Sequence, residues 1–144
     1  VVLAGDERWQ ATNIDQILSL GGELDVVLSI SRHKFAMGYA YLKDDVDGIS
    51  SELSRYAINS RKHHLSTRWT LKWSSFITSS VSYRYAEQDS GYNYNVVDAN
   101  MAYAKGRIKL SLSAHNILNS TYTEQNLVPM PKGHALLSLQ FQLY

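Results

Sequence analysis

Asp44, Asp45 and Asp47, with Gly48 behind them, form the densest group of hard oxygen ligands in the chain, at a spacing that can hold calcium. The rest of a calcium loop is missing, so a solvated acidic loop is the plainer reading and calcium the alternative. His63 and His64 are adjacent, and in an extended strand adjacent side chains point to opposite faces, so the pair cannot chelate one ion. A rim histidine is expected at each, and no cofactor is called for. Ser, His and Asp all occur, yet no G-x-S-x-G or comparable nucleophile element accompanies them, and no enzyme is expected. The absence of cysteine excludes a disulfide framework, a Cys-ligated zinc and a thiol nucleophile. Asn119-Ser120-Thr121 matches a glycosylation acceptor, a match common by chance. Arg55, Tyr56 and Tyr92 fall in polar connections, where ligand contacts would lie by geometry.

The elements that must position these residues follow from composition and period. The 144 residues carry 14 basic and 13 acidic side chains, a formal net charge of +1. That balance lacks the basic footprint of a nucleic-acid binder, and no nucleic-acid partner is expected. The longest stretch free of charge, Leu110 to Thr123, is too short and too polar for a membrane-spanning helix, which needs about 20 apolar residues. The opening Val1-Val2-Leu3-Ala4-Gly5 has no Met, basic segment or long apolar core, so no signal peptide is read and a mature or truncated product is expected.

Alternation decides between helix and strand. Leu65, Thr67, Trp69, Leu71 and Trp73 alternate with Ser66, Arg68, Thr70 and Lys72. A period of two is a strand. The same alternation predicts seven strands, near 15–30, 34–44, 63–73, 76–88, 93–104, 107–116 and 133–144. Most are about 10–12 residues, long against a globular mode of about 5–6 and of the length that crosses a bilayer at a tilt of about 45°. The connections alternate too. Short turns are expected at Ser31–His33, Ser74-Ser75 and Lys105-Gly106, and longer polar ones at Asp45–Lys62, Gln88–Tyr92 and Ile117–Lys132. One short rim and one long rim describe an outer-membrane barrel.

The two faces differ in kind. Trp69, Trp73, Phe76, Tyr83, Tyr85, Tyr103, Tyr39 and Tyr41 lie mostly with the apolar stripe and towards strand ends, as aromatic girdles do. Glu23, Asp25, Arg68, Lys72, Arg84, Asp98 and Lys109 fall on the other face in mid-strand, where a polar lumen accommodates them. A barrel in hydrocarbon must close, because an open edge leaves backbone amides unpaired. Seven strands do not give the usual even number, so a fragment of a larger barrel is expected. The alternatives are a complete eight-stranded barrel, an adhesin or structural protein with Ala4–Asn13 as its first strand, and a soluble β-domain binding a partner through its aromatic face.

The C-terminal half carries a family likeness. His115-Asn116-Ile117-Leu118-Asn119-Ser120-Thr121-Tyr122, then Val128-Pro129-Met130-Pro131 and a last alternating strand ending in Tyr144, resemble the close of a TonB-dependent outer-membrane receptor. Gly22-Glu23-Leu24 and Lys62-His63 resemble internal landmarks of the same family. The resemblance runs from about Asn13 onward and is most specific in the last 50 residues or so. It implies a plugged barrel of about 22 strands, with residues 15–144 as its C-terminal strands and residues 1–14 as an extracellular loop or the end of a preceding strand. It also implies the outer membrane of a Gram-negative bacterium, with lipid, an N-terminal plug, the remaining strands and TonB as partners, the last through a missing N-terminal region. Ferric siderophores, haem, cobalamin and glycans are the family's substrates.

Overall fold

The computed structural model describes residues 16–47, 61–124 and 128–143. Seven strands follow one another in a single antiparallel sheet: β1 (Gln16–Ile30), β2 (His33–Asp47), β3 (Arg61–Lys72), β4 (Ile77–Gln88), β5 (Asn93–Lys105), β6 (Ile108–His115) and β7 (His134–Phe141). Among the described residues each pairs with its neighbours in sequence, in the order β1 to β7. Among the described residues there is no helix.

Chain reversal explains where the strands differ from those expected. Ser31 and Gly106 both take positive φ, 53° and 57°, so each opens a two-residue turn. The first turn is therefore Ser31-Arg32, and His33 and Lys34 already pair with Ile30 and Ser29. The third is Gly106-Arg107 rather than Lys105-Gly106, because glycine adopts the left-handed conformation without steric cost. Asp44, Asp45 and Asp47 do not form a loop. They continue β2 opposite Ser19, Leu18 and Gln16, since pairing with the long β1 satisfies their backbone groups.

Cross-strand register carries the alternation from strand to strand. One row runs Leu28, Phe35, Trp69, Val81, Ala99, Ala114, Ala135, and the next runs Ile30, His33, Leu71, Ser79, Met101, Leu112, Leu137. The apolar stripes of all seven strands thus merge into one face. That face is uncovered: Leu24 is 56% exposed and Leu137 72%. The buried residues lie elsewhere. Ala86, Gln88, Tyr94 and Val96 belong to the opposite, polar face, where Tyr122 of the β6–β7 connection packs on them. Burial is inverted relative to a soluble sheet, which hides its apolar side.

The short turns are staggered. The three hairpins close on Ile30/His33, Trp73/Ile77 and Lys105/Ile108. On β5 these closing rows fall at Met101, Tyr103 and Lys105, so the rim steps two residues for every two strands. One residue per strand, with a rise of ~3.3 Å and a spacing of ~4.8 Å, is an inclination of about 35°. That lies within the range of strands in β-barrels.

Candidate functional site

The polar face is built on small residues. Two neighbouring rows read Asp25, Gly38, Ser66, Arg84, Val96 and Val27, Ala36, Arg68, Ser82, Asp98. Small side chains beside the charged ones leave an open trough of about 550 Å³ with Asp25, Arg68, Arg84 and Asp98 around it. Gly38 leaves room for the Asp25 carboxylate, since a Cβ at that position would stand 2.6 Å from Asp25 Oδ1 and 3.2 Å from Ser66 Oγ. The remaining charges expected on this face occupy it as well. Glu23 pairs with Ala40, Lys72 with Thr78, and Lys109 with Ala104 and Gln140.

The β6–β7 connection folds over one end of the trough. Asn116, 2% exposed and at φ 49°, staples its two limbs. Its Nδ2 donates to the carbonyls of Ser120 and Pro131 at 2.9 and 3.1 Å, and its Oδ1 accepts from Ser120 N at 2.9 Å. Asn119, at φ 54°, accepts from Gly133 N at 3.1 Å. Two contacts with named charges fix the staple to the sheet. Asp98 Oδ1 accepts from Asn116 N at 2.8 Å and lies 3.7 Å from His115 Nδ1. Arg84 Nη1 donates to Glu124 Oε1 at 2.7 Å, with Arg61 3.9 Å from the other carboxylate oxygen. Tyr122 stacks on Tyr94, centroids 4.6 Å apart. Burial pushes the Tyr122 phenol up from its ordinary value, with Glu124 and Asp98 acting the same way and Arg84 opposing.

Arg84 and Asp98 are therefore committed to the cover, while Asp25 and Arg68 line open space. Glu124, Arg61, Tyr94 and Asn116 are site residues that alternation alone does not find. The signal for the cover lay in the Asn116 to Tyr122 and Val128 to Pro131 elements, whose spacing suits a doubled-back loop. Tyr92 sits in the β4–β5 connection, exposed, its hydroxyl donating to Thr121 O at 3.3 Å. Arg55, Tyr56 and Gly48 lie outside the described residues. Among the described residues no three His, Asp or Glu side chains gather closely enough to hold a metal ion.

The apolar face carries two tiers of polar-tipped aromatics. Near the short turns His33, Phe35 and Trp69 stack almost parallel. Trp69 Nε1 donates to His33 Nδ1 at 3.1 Å, and Trp73 Nε1 to Ser79 Oγ at 2.9 Å. Towards the other rim Tyr39 and His63 share a 2.7 Å hydrogen bond, while Tyr83 donates to Asn95 and Tyr85 to Glu87. Val26, Met37 and Val81 each stand four residues from their turn closure, level with the Trp69 backbone. Where this face does carry charge, as at Lys43, Glu87 and Lys105, the residue stands towards a strand end.

No protein-family model matches the chain, and no curated protein or solved structure is significantly similar to it.

Proposed function

We propose that this chain forms C-terminal wall strands of a TonB-dependent outer-membrane transporter, its apolar face in hydrocarbon and its polar face lining an enclosed interior. The observation that carries the reading is the inverted burial: the uncovered side of the sheet is oily, and the side with a fitted cover is charged. Hydrocarbon is the environment in which this order costs least, because a lipid-facing charge at mid-depth costs about 2–4 kcal/mol. The inclination of about 35°, the short and long rims, and indole and phenol groups that meet their polar partners near the strand ends agree with it. Among the described residues, β1 and β7 at the two edges of the sheet have no further strand beside them, next to exposed Leu20 and Leu139. In a bilayer such edges require further strands. Motif likeness at Asn116 to Tyr122 and at Val128 to Pro131 points to the transporter family among outer-membrane barrels.

In this function the trough of Asp25 and Arg68 is the surface on which a plug rests, and the connections at the long rim, with Tyr92 among them, take part in capturing a scarce nutrient such as a ferric siderophore, haem or cobalamin. The wall performs no bond chemistry. It holds a polar bore open against lipid.

Because the chain has no cysteine, the reading is tested by single cysteines on adjacent β4 residues. In lipid vesicles, Val81→Cys should react with a membrane-soluble maleimide and resist a charged one, and Ser82→Cys should do the reverse. Equal reaction of both with the charged reagent would refute hydrocarbon contact. Upstream sequence encoding a plug-like segment of about 150 residues and further strand pairs would separate the transporter from a small complete barrel.

A further inference from the structure

Charge on this sheet is sorted along the strands as well as between the faces. The segments nearest the short turns, 29–34, 70–80, 100–113 and 136–143, contain Arg32, Lys34, Lys72, Lys105, Arg107 and Lys109 and no acidic residue. The acidic residues of the other described segments, Asp25 and Asp98 among them, stand farther from that rim. All six cations are exposed. They divide by direction. Lys34, Lys72 and Lys109 lie on the polar face, whereas Arg32 and Arg107 occupy the turns and Lys105 sits in the apolar row of Ile108 and Phe141.

Two of the second trio are tied to aromatic residues of the short-turn rim. Lys105 Nζ lies 5.0 Å from the Phe76 ring centroid, and Arg32 Nη1 donates to the carbonyl of Trp73 at 3.1 Å. The ammonium of Lys105 over the ring is a cation–π contact, and with Arg32 tied to the turn carbonyl it holds two charged groups at the edge of the apolar band. Their heads then stand at headgroup level, where a lipid phosphate is the charge that meets them.

We infer that Arg32, Lys105 and Arg107 form a binding surface for anionic phospholipid headgroups along the short-turn rim. This rests on the proposed contact of the apolar face with hydrocarbon. A lipid surface is favoured over an acidic polypeptide because these three cations lie at the turns or on the oily side, and the polar-face trio is the one an acidic segment would reach.

The complete barrel that carries these strands is refolded into vesicles of phosphatidylcholine and of an equimolar mixture with phosphatidylglycerol, and insertion is read from tryptophan emission and flotation. Each engaged cation favours the anionic membrane by about fivefold, so three give on the order of a hundredfold. The gain should vanish in R32Q/K105Q/R107Q, survive in K34Q/K72Q/K109Q, fade at high salt and persist in millimolar inorganic phosphate. Arg107→Gln alone gives a single-cation readout of about fivefold if the triple variant fails to insert. Insertion without any anionic gain overturns this inference alone, as does a gain lost only in K34Q/K72Q/K109Q, which would place the anion contact on the polar face. A gain abolished by free phosphate also overturns the lipid assignment. Failure of that complete barrel to insert into phosphatidylcholine would refute the hydrocarbon contact itself.

Discussion

Val81 and Ser82 are consecutive residues of β4 with opposite surroundings. Val81 lies in the row of Trp69 and Ala99 on the uncovered face, and Ser82 stands between Arg68 and Asp98 on the polar one. Val81 is four residues above the Trp73/Ile77 closure, which at ~3.3 Å per residue and an inclination of about 35° is about 11 Å along the barrel axis. In an apolar band about 25 Å tall that is close to mid-depth. Val81→Arg should therefore cost about 2–4 kcal/mol of folding stability in lipid, a factor of about 30 to 900 in the folded-to-unfolded ratio. Ser82→Arg adds a cation beside Asp98 and Arg68 in a wet trough and should change stability by less than about 1 kcal/mol. Urea titrations of both variants made in the complete barrel and refolded into phosphatidylcholine vesicles, followed by tryptophan emission, give the two differences directly. If Ser82→Arg proves the costlier variant, the two faces have been assigned the wrong way round.

Three further outcomes follow from the cover and the small residues. Asn116→Ala removes both halves of the staple and leaves backbone groups of Ser120 and Pro131 unpaired, at about 1–3 kcal/mol. Limited proteolysis should then cut between residues 117 and 132, and unchanged resistance would show that the cover is held from elsewhere. Gly21→Ala places a Cβ against the Tyr41 carbonyl oxygen and 3.1 Å from Leu42 Cδ1, so backbone must shift at about 1–3 kcal/mol. Gly38→Ala meets chiefly the mobile end of Asp25 and should cost less than Gly21→Ala in the same urea titration. Tyr122, buried as the neutral phenol, should ionise above the ordinary tyrosine value of about 10. Its raised value means a contribution fully present below pH ~10 and lost as pH rises through the folded value, so the cover should loosen in strong alkali. Absorbance titration of wild type against Tyr122→Phe isolates that proton, and a Tyr122 transition at or below pH ~10 would contradict its burial.

Most of the sheet was written in the chain's period of two. Leu65 to Trp73 or Val97 to Tyr103 can alternate in only one phase, and strand pairing preserves that phase, so Arg68, Lys72, Arg84 and Asp98 fall on one face by the chain's alternation itself. Strand ends were less legible because they depend on single backbone conformations. Ser31 and Gly106 set the turns by their φ, and β1 drew Asp44, Asp45 and Asp47 into β2 by offering ladder partners that a local charge count does not weigh.

What the sequence determined by itself was therefore local: seven ribbons, each with an oily and a wet side, and two kinds of connection. The tertiary structure decided what long-range closure decides, namely the rim's step of two residues per hairpin, the return of the β6–β7 connection onto the polar face, and the meeting of Arg84 with Glu124 forty residues away. The physical reason is that alternation is imposed by each residue's own backbone geometry, whereas register and loop placement arise only when distant segments compete for the same hydrogen bonds and the same space.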